Sequence, residues 1–276
     1  MQELTPVTVN GLRTMVLDHG FGDPVVFLHG IPTQAYLWRD VARVVGRQHR
    51  VIAPDLLGFG FADKPASGDL SPRGQAIFVA GLLDELGVGE FTLVAHDFGA
   101  LVAAEIIANM PERVQAVVIC NTSFWPQDWN GSRFNPTRLL RIPGVGEAAF
   151  WMARPFMLKR AFGAYVAETA RLTDPTMRIY WWPFANGFTS ILLRLSRDDR
   201  FTRDDLRRWR HALHAYDGLA LVVWGERDPA FRPSRGRSIA GFIPNGRYVG
   251  LADSNHFVQE DMPDELGRLI NEFLSG

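Results

Sequence analysis

The residues with the clearest chemical potential lie in a short turn, Ala95-His96-Asp97-Phe98-Gly99. An apolar run predicts a strand before this turn, and apolar residues at helical spacing predict a helix after it. Such a sharp turn strains the backbone of its middle residue and brings strand and helix close together, which the small residues Ala95 and Gly99 permit. The turn would present the Asp97 carboxylate at the start of the helix, where backbone N–H groups and the helix dipole favour a negative charge. Asp97 is therefore either a nucleophile or an ordinary helix cap, a position that Asp favours.

Two later loops supply residues that could work with Asp97. Asp228 follows an apolar run over 219–224, and His256 lies between the last predicted strand and a closing helix. Functional residues of parallel sheets gather where the strands end, so both side chains are expected near Asp97. A nucleophile, an acid and a histidine in this chain order match a catalytic triad, in which the acid orients the histidine that acts as a base. Either residue alone would more often be structural, whereas the three together form a strong signal.

Short apolar runs alternate with helical patterns through much of the chain. We predict strands over 25–28, 50–53, 91–95, 114–120, 219–224 and 247–251, and helices over 36–46, 75–86, 234–242 and 263–274. Asn10-Gly11 lies between two further apolar runs and predicts a β-hairpin. Because strands that alternate with helices form parallel sheets, the sequence predicts an α/β fold whose mostly parallel sheet is covered by helices on both faces.

The alternation breaks between Cys120 and Leu219. This segment holds six of the eight tryptophans and no strand pattern, while 147–158, 161–172 and 202–216 have helical patterns. We interpret residues 125–216 as a helical cap inserted into a core domain of residues 1–124 and 217–276. Aromatic residues at helical spacing usually belong to a packed core, and a cap can use some of them in this way while others line a pocket.

Composition argues against several classes of partner. The 276 residues are 47% hydrophobic and 21% charged, as in a globular protein with a sizeable core, and the formal net charge of −1 gives no electrostatic reason to expect nucleic acid or an anionic membrane. Cys120 is the only cysteine, so no disulfide can form within the chain. We find no run of about 18 apolar residues and no N-terminal signal sequence, and we expect a cytoplasmic monomer or homodimer without membrane association. Triad chemistry requires no metal or cofactor, and none is expected.

Several longer motifs resemble one superfamily. They are His29-Gly30-Ile31-Pro32-Thr33, Tyr36-Leu37-Trp38-Arg39, Ala53-Pro54-Asp55-Leu56, Asp63-Lys64-Pro65, His96-Asp97-Phe98-Gly99 and His256-Phe257-Val258-Gln259-Glu260-Asp261. With them, the chain resembles the α/β-hydrolase superfamily over almost its whole length. It is most similar to haloalkane dehalogenases and to the related epoxide hydrolases, which use an Asp nucleophile, and the segment Asn121-Thr122-Ser123-Phe124 resembles the epoxide hydrolases. The resemblance implies an eight-stranded, mostly parallel sheet with an inserted helical cap.

The resemblance also implies a mechanism. Because a carboxylate is ionised at neutral pH, Asp97 would attack a saturated carbon of a small apolar substrate directly and form an alkyl ester. His256, oriented by Asp228, would then activate a water molecule that cleaves this ester. The backbone N–H groups of Ile31 and Phe98 would stabilise the negative oxygen that forms in the second step.

The groups that stabilise the leaving group stay open. Many haloalkane dehalogenases hold the departing halide with side-chain N–H donors at the positions of Ile31 and Phe98, and neither of these side chains can donate a hydrogen bond. If the substrate is a halide, the donor must come from elsewhere. Trp125 is then the first candidate, and the pair Trp181 and Trp182 is the second.

Two alternatives use the same core. An epoxide hydrolase would need tyrosines that donate to the departing oxygen, and Tyr165 and Tyr180 lie in the predicted cap. A non-hydrolytic member of the fold would be a lyase or isomerase of a biosynthetic pathway, or a binding protein. The three triad residues together argue against a simple binding protein, and the fold alone does not decide function.

Overall fold

The computed structural model describes residues 4–129, 141–197 and 201–276. These residues form one sheet of eight strands with the spatial order β1-β2-β4-β3-β5-β6-β7-β8. The strands are β1 Leu4–Val9, β2 Leu12–His19, β3 Pro24–Leu28, β4 Arg50–Pro54, β5 Phe91–His96, β6 Val114–Cys120, β7 Leu219–Gly225 and β8 Gly246–Leu251. β2 pairs antiparallel with β1 and with β4, and every other neighbouring pair is parallel. The predicted α/β fold with a mostly parallel sheet is confirmed.

The N-terminal hairpin forms where the sequence predicts it. Asn10 and Gly11 have φ angles of 51° and 80°, and Val9 pairs with Leu12 across the turn. Positive φ at both turn residues matches the twist of the flanking strands, and Asn and Gly reach such angles at little cost.

Helices cover both faces of the sheet, because its central strands are apolar on both sides. All six residues of β5 are buried. Leu93 and Ala95 lie in one apolar cluster and Val94 lies in the other, as the alternation of side chains along a strand requires. The helices of the core are α2 Pro72–Glu85, α3 Phe98–Asn109 and α10 Pro233–Phe242 over the first cluster, α1 Arg39–Val45 and α12 Pro263–Ser275 over the second, and the short α11 Val258–Asp261 before α12.

Between β6 and β7 every element that the structure describes is a helix or a 3₁₀ turn. The helices are α4 Pro126–Trp129, α5 Val145–Met152, α6 Pro155–Gly163, α7 Asp174–Ala185, α8 Phe188–Arg197 and α9 Arg203–Ala215. The prediction over 202–216 agrees with α9 to within one residue at each end. The single helix predicted over 147–158 is wrong, because Arg154 has the extended backbone that a residue before proline favours, and Pro155 begins a new helix. The helix predicted over 161–172 is also wrong, since α6 ends at Gly163 and only a 3₁₀ turn follows, at Thr169–Arg171.

Polar contacts join this helical segment to the loops at the carboxyl ends of the strands. The backbone N–H of Phe257 donates to the carbonyl oxygen of Tyr165 at 3.1 Å, and the N–H of Ala167 donates to Asp261 at 2.8 Å. The helices therefore lie above the sheet edge that carries the predicted triad. No helix in the three described ranges is long and apolar enough to cross a membrane.

Candidate active site

The turn around Asp97 has the strained geometry that the sequence predicts. Asp97 lies between β5 and α3 with φ 52° and ψ −119°, a conformation that residues other than glycine rarely adopt. A Cβ at Gly99 would lie 2.6 Å from the carbonyl oxygen of His29, and a Cβ at Gly30 would lie 2.5 Å from Oδ1 of Asp97. The hydroxyl of Thr122 donates to the carbonyl oxygen of Asp97 at 2.8 Å. Glycines on both sides and this hydrogen bond hold the turn in place, and Gly30 is a contribution that the sequence did not reveal.

The two carboxylate oxygens of Asp97 have different surroundings. The backbone N–H of Ile31 donates to Oδ1 at 2.9 Å, while Oδ2 lies 4.0 Å from Nε2 of His256. Asp97 is only 6% exposed. Phe98 begins α3, so its backbone N–H has no acceptor within the helix. One oxygen of Asp97 is thus held by a backbone donor, and the other faces the imidazole.

His256 and Asp228 are buried and in contact. Nδ1 of His256 lies 3.0 Å from Oδ2 of Asp228, while the backbone N–H groups of Ala230 and Phe231 donate to Oδ1 at 2.7 and 3.1 Å. Because a carboxylate only accepts hydrogen bonds, the network assigns the proton to Nδ1 and leaves Nε2 with a lone pair directed towards Asp97.

Charge interactions and hydrogen bonds together affect the pKa values of Asp228 and His256 more than burial does. Burial alone would raise the pKa of Asp228, but the charge and hydrogen bond of His256 hold it below the usual value. Burial alone would lower the pKa of His256, but attraction to Asp228, its hydrogen bond and a smaller contribution from Asp97 raise it above 6.5. The pair therefore stabilises a positive charge on the imidazole, as a general base requires once it has taken a proton.

Asn121 positions the acid, and the sequence did not reveal this role. Its Nδ2 donates to Oδ2 of Asp228 at 2.7 Å, and its Oδ1 accepts from the N–H of Gly225 at 3.2 Å. Asn121 has φ 33°, in the left-handed region that Asn tolerates. It links the end of β6 to the end of β7 and fixes the carboxylate that holds His256.

Two buried, uncharged histidines, His96 and His29, form hydrogen bonds with the loops next to the site. His96 lies 3.0 Å from the carbonyl oxygen of His256, and burial, with the charge of His256, holds the pKa of His96 well below 6.5. Nε2 of His29 accepts from the N–H of Leu56 at 3.0 Å, so its Nδ1 donates to the carbonyl oxygen of Gly30. Burial lowers the pKa of His29 to about 4. At neutral pH both rings are therefore uncharged and link neighbouring loops through hydrogen bonds.

A cavity of about 330 Å³ opens above Asp97 and His256. Its walls are mostly apolar and include Leu158, Phe162 and Phe231. A pocket of this size and character suits a small apolar molecule. The polar groups at its base are the carboxylate and imidazole described above.

Among the predicted leaving-group candidates, Tyr165 lines the cavity. Its ring lies edge-on to the ring of His256, with 5.8 Å between the ring centres. Two further polar residues of the lining were not predicted, and each has a local partner. Nε1 of Trp129 donates to the carbonyl oxygen of Ser123 at 2.6 Å, and the hydroxyl of Ser196 donates to a backbone carbonyl of its own helix at 2.9 Å.

The other candidates lie outside the cavity lining, which corrects the sequence-based choice. The ring of Trp125 packs against Phe242 and under the guanidinium of Arg235, with 6.0 and 4.7 Å between the groups. It therefore points to α10 and not to Asp97.

The remaining three aromatic candidates make structural contacts. The hydroxyl of Tyr180 donates to Glu260 at 2.5 Å, and Glu260 also forms an ion pair with Arg39. Trp181 stacks on Phe184 with 5.9 Å between ring centres. Trp182 packs against Phe61, with 4.5 Å between ring centres.

Comparison with known proteins agrees with this fold. A family model described as the alpha/beta hydrolase fold matches residues 23–263. Haloalkane dehalogenase 2 of Mycobacterium bovis is 29% identical over 264 residues, which cover 94% of this chain and 91% of that protein. A cis-3-alkyl-4-alkyloxetan-2-one decarboxylase of Xanthomonas campestris pv. campestris is 29% identical over 284 residues, with coverage of 96% and 93%. The crystal structure of haloalkane dehalogenase DbeA from Bradyrhizobium elkani has a TM-score of 0.87 and 27% identity, and the match covers 99% of this chain and 98% of that one.

The chain belongs to the α/β-hydrolase family. Within this family, its sequence and structure are similar to those of haloalkane dehalogenases, as its motifs suggest.

Proposed function

We propose that this protein hydrolyses a small apolar substrate through a covalent ester on Asp97, as a haloalkane dehalogenase-like enzyme. One observation carries the proposal. Oδ1 of Asp97 is held by the N–H of Ile31 at 2.9 Å, and Oδ2 faces Nε2 of His256 at 4.0 Å beneath an apolar cavity. This arrangement suits a nucleophile whose intermediate is attacked by water next to the imidazole.

In the first step, Oδ2 of Asp97 attacks the substrate carbon that bears the leaving group. A C–O bond forms, the carbon–leaving-group bond breaks, and the leaving group departs with the electron pair. No base is required, because the carboxylate is already ionised at neutral pH. Oδ1 becomes the carbonyl oxygen of the ester and keeps its backbone donor.

In the second step, Nε2 of His256 takes a proton from water, which attacks the ester carbonyl carbon. The negative charge that forms on Oδ1 is stabilised by the backbone N–H groups of Ile31 and Phe98. The tetrahedral intermediate collapses and the alcohol leaves with the proton from His256. Asp97 is then a carboxylic acid with one oxygen from water, and it releases its remaining proton to solvent to restore the carboxylate. Asp228 stabilises the imidazolium between the two proton transfers at His256.

Haloalkanes are the first substrate class to test, in line with the dehalogenase relatives. Ile31 and Phe98 lack side-chain donors, so the hydroxyl of Tyr165 is the proposed donor to the departing halide. The same observation favours epoxide hydrolysis as a second candidate, because a tyrosine hydroxyl can also donate to the oxygen of an opening epoxide.

A parallel assay of three reactions tests these proposals. Purified protein is given short bromoalkanes, styrene oxide, and a cis-3-alkyl-4-alkyloxetan-2-one, the substrate type in the name of the decarboxylase relative. Halide release that disappears in Asp97→Ala supports the first proposal, and Asp97-dependent diol formation alone supports the second. Decarboxylation without either product would contradict both and indicate a lyase.

A further inference from the structure

Exposed apolar side chains cluster on two consecutive helices of the segment between β6 and β7. They are Val145, Trp151 and Met152 on α5, and Phe156 and Met157 on α6. Trp151 is 80% exposed and Phe156 is 70% exposed. Single exposed apolar residues are ordinary, but five within thirteen residues indicate a binding surface, called here the α5–α6 face.

The spacing of these residues places them away from the interior. On α6, Leu158 and Phe162 are one turn apart and buried, and both line the cavity. Phe156 and Arg160 are also one turn apart and both are exposed. α6 therefore forms a cavity wall with one side and part of the α5–α6 face with the other.

The α5–α6 face carries a positive charge. Residues 141–163 contain four basic residues and a single acidic one, Glu147, which forms an ion pair with Arg197 at 2.7 Å. Lys159 pairs with Asp174 at 2.9 Å. Arg154 and Arg160 have no acidic partner among the residues that the structure describes, although Arg154 donates to the carbonyl oxygens of Trp151 and Ala153 at 3.1 and 2.8 Å. Exposed aromatic residues beside basic side chains whose charge is not paired with an acid are typical of surfaces that lie in a membrane interface.

We propose that the α5–α6 face binds the surface of an anionic lipid bilayer. Trp151 and Phe156 would enter the boundary between headgroups and acyl chains, while Arg154 and Arg160 would contact lipid phosphates. The formal net charge of −1 does not oppose this binding, because charges act on the bilayer only within about a Debye length, roughly 10 Å at 0.1 M salt. A second copy of this chain is a poorer occupant, since a two-fold contact would bring two faces of the same positive charge together.

Binding at the α5–α6 face would also bring the cavity close to its substrate, an inference that rests on the proposed function. Because α6 also lines the cavity, binding at the α5–α6 face would bring the cavity wall close to the bilayer, where apolar substrates concentrate. Lipid binding itself can be measured without turnover, so failure of the proposed function would leave the binding proposal standing.

Co-sedimentation with lipid vesicles tests the proposal. The native protein is mixed with vesicles of phosphatidylcholine alone or with added phosphatidylglycerol, at two salt concentrations. We expect binding to the phosphatidylglycerol vesicles, weaker binding at higher salt, and at least roughly tenfold weaker binding to phosphatidylcholine alone. Trp151→Ala/Phe156→Ala and Arg154→Glu/Arg160→Glu should each weaken binding to phosphatidylglycerol vesicles by roughly tenfold or more.

Exposed residues elsewhere provide matched controls. Phe21 is 79% exposed in the turn before β3, and Arg47 and Arg73 are exposed on the core. Phe21→Ala and Arg47→Glu/Arg73→Glu should bind vesicles like the native protein, and all variants should keep native circular dichroism. Failure of the native protein to bind phosphatidylglycerol vesicles would overturn the proposal, as would an equal loss in the controls. A dimer in lipid-free solution that Trp151→Ala/Phe156→Ala abolishes would assign the face to a second copy and would also overturn it.

Discussion

The replacement Asp228→Asn removes one charge at the centre of the proposed mechanism. All four neighbours of this carboxylate are donors: the N–H groups of Ala230 and Phe231 at Oδ1, and Nδ2 of Asn121 and Nδ1 of His256 at Oδ2. An amide at this position must direct its NH₂ group at one of these two pairs of donors. Because the pair at Oδ1 is backbone and cannot rotate, we expect the NH₂ group to lie at the Oδ2 position.

The imidazole must then change its tautomer. With an NH₂ group opposite Nδ1, His256 keeps its ring orientation only if Nδ1 accepts and Nε2 carries the proton. Nε2 can then no longer take a proton from water. Loss of the productive tautomer in a related triad costs about 10⁴-fold in rate, which corresponds to roughly 5.5 kcal/mol of transition-state stabilisation. We expect a loss of this order in the hydrolysis of the ester.

Rapid-quench kinetics separates the two steps. Asp228→Asn should form the ester on Asp97 within tenfold of the native rate, because the first step needs no base, and should then hydrolyse it about 10⁴-fold more slowly. Asp253→Asn is the control, since Asp253 is an exposed residue of a neighbouring loop paired with Arg227. Hydrolysis at a near-native rate in Asp228→Asn would refute the role assigned to the acid.

Three further outcomes are expected. Tyr165→Phe should slow departure of the leaving group about ten- to a hundredfold, the effect of losing a hydrogen bond to a charged acceptor worth roughly 1.5–3 kcal/mol, and an unchanged single-turnover rate would remove this residue as donor. The pKa of His256 is raised above 6.5 and the base must be neutral, so ester hydrolysis should rise with pH through a midpoint above 6.5, and a midpoint below that value would contradict the assignment. Gly99→Ala would press a Cβ against the backbone of Leu28 and should lower the free energy of unfolding by about 1–3 kcal/mol or more in urea titrations, whereas Gly89→Ala, with open space around it, should leave it nearly unchanged.

The sheet and the meeting of Asp97, Asp228 and His256 at one of its edges were predictable because their signals are local. Apolar runs predict the parallel strands, and Asp97, Asp228 and His256 each follow such a strand, so the fold brings them to one edge. The need for Gly99 was also predictable, because the turn leaves no space for a side chain. These predictions depend only on the positions of the apolar runs and on the chain order of the three residues.

The surroundings of the site were less predictable because they depend on contacts between distant segments. Trp125 follows the end of β6, yet its ring packs on Phe242, more than a hundred residues later. The hydroxyl of Tyr180 is engaged by Glu260, whose position depends on how α7 meets α11. Asn121 has the sequence signature of a turn residue only, and its bond to the acid requires the pairing of β6 with β7.

The proposed mechanism attaches the substrate covalently to Asp97 in its first step. The variant His256→Gln should carry out the first step and stall before the second, so incubation with a bromoalkane should add the mass of one alkyl group in place of a proton. Trypsin cleaves after Arg73 and after Arg113, which releases residues 74–113 as one peptide. Fragmentation of this peptide can assign the added mass to Asp97. We expect a stoichiometric adduct on this residue in His256→Gln and none in Asp97→Ala. An adduct on another residue, or halide release by the variant without any adduct, would contradict it.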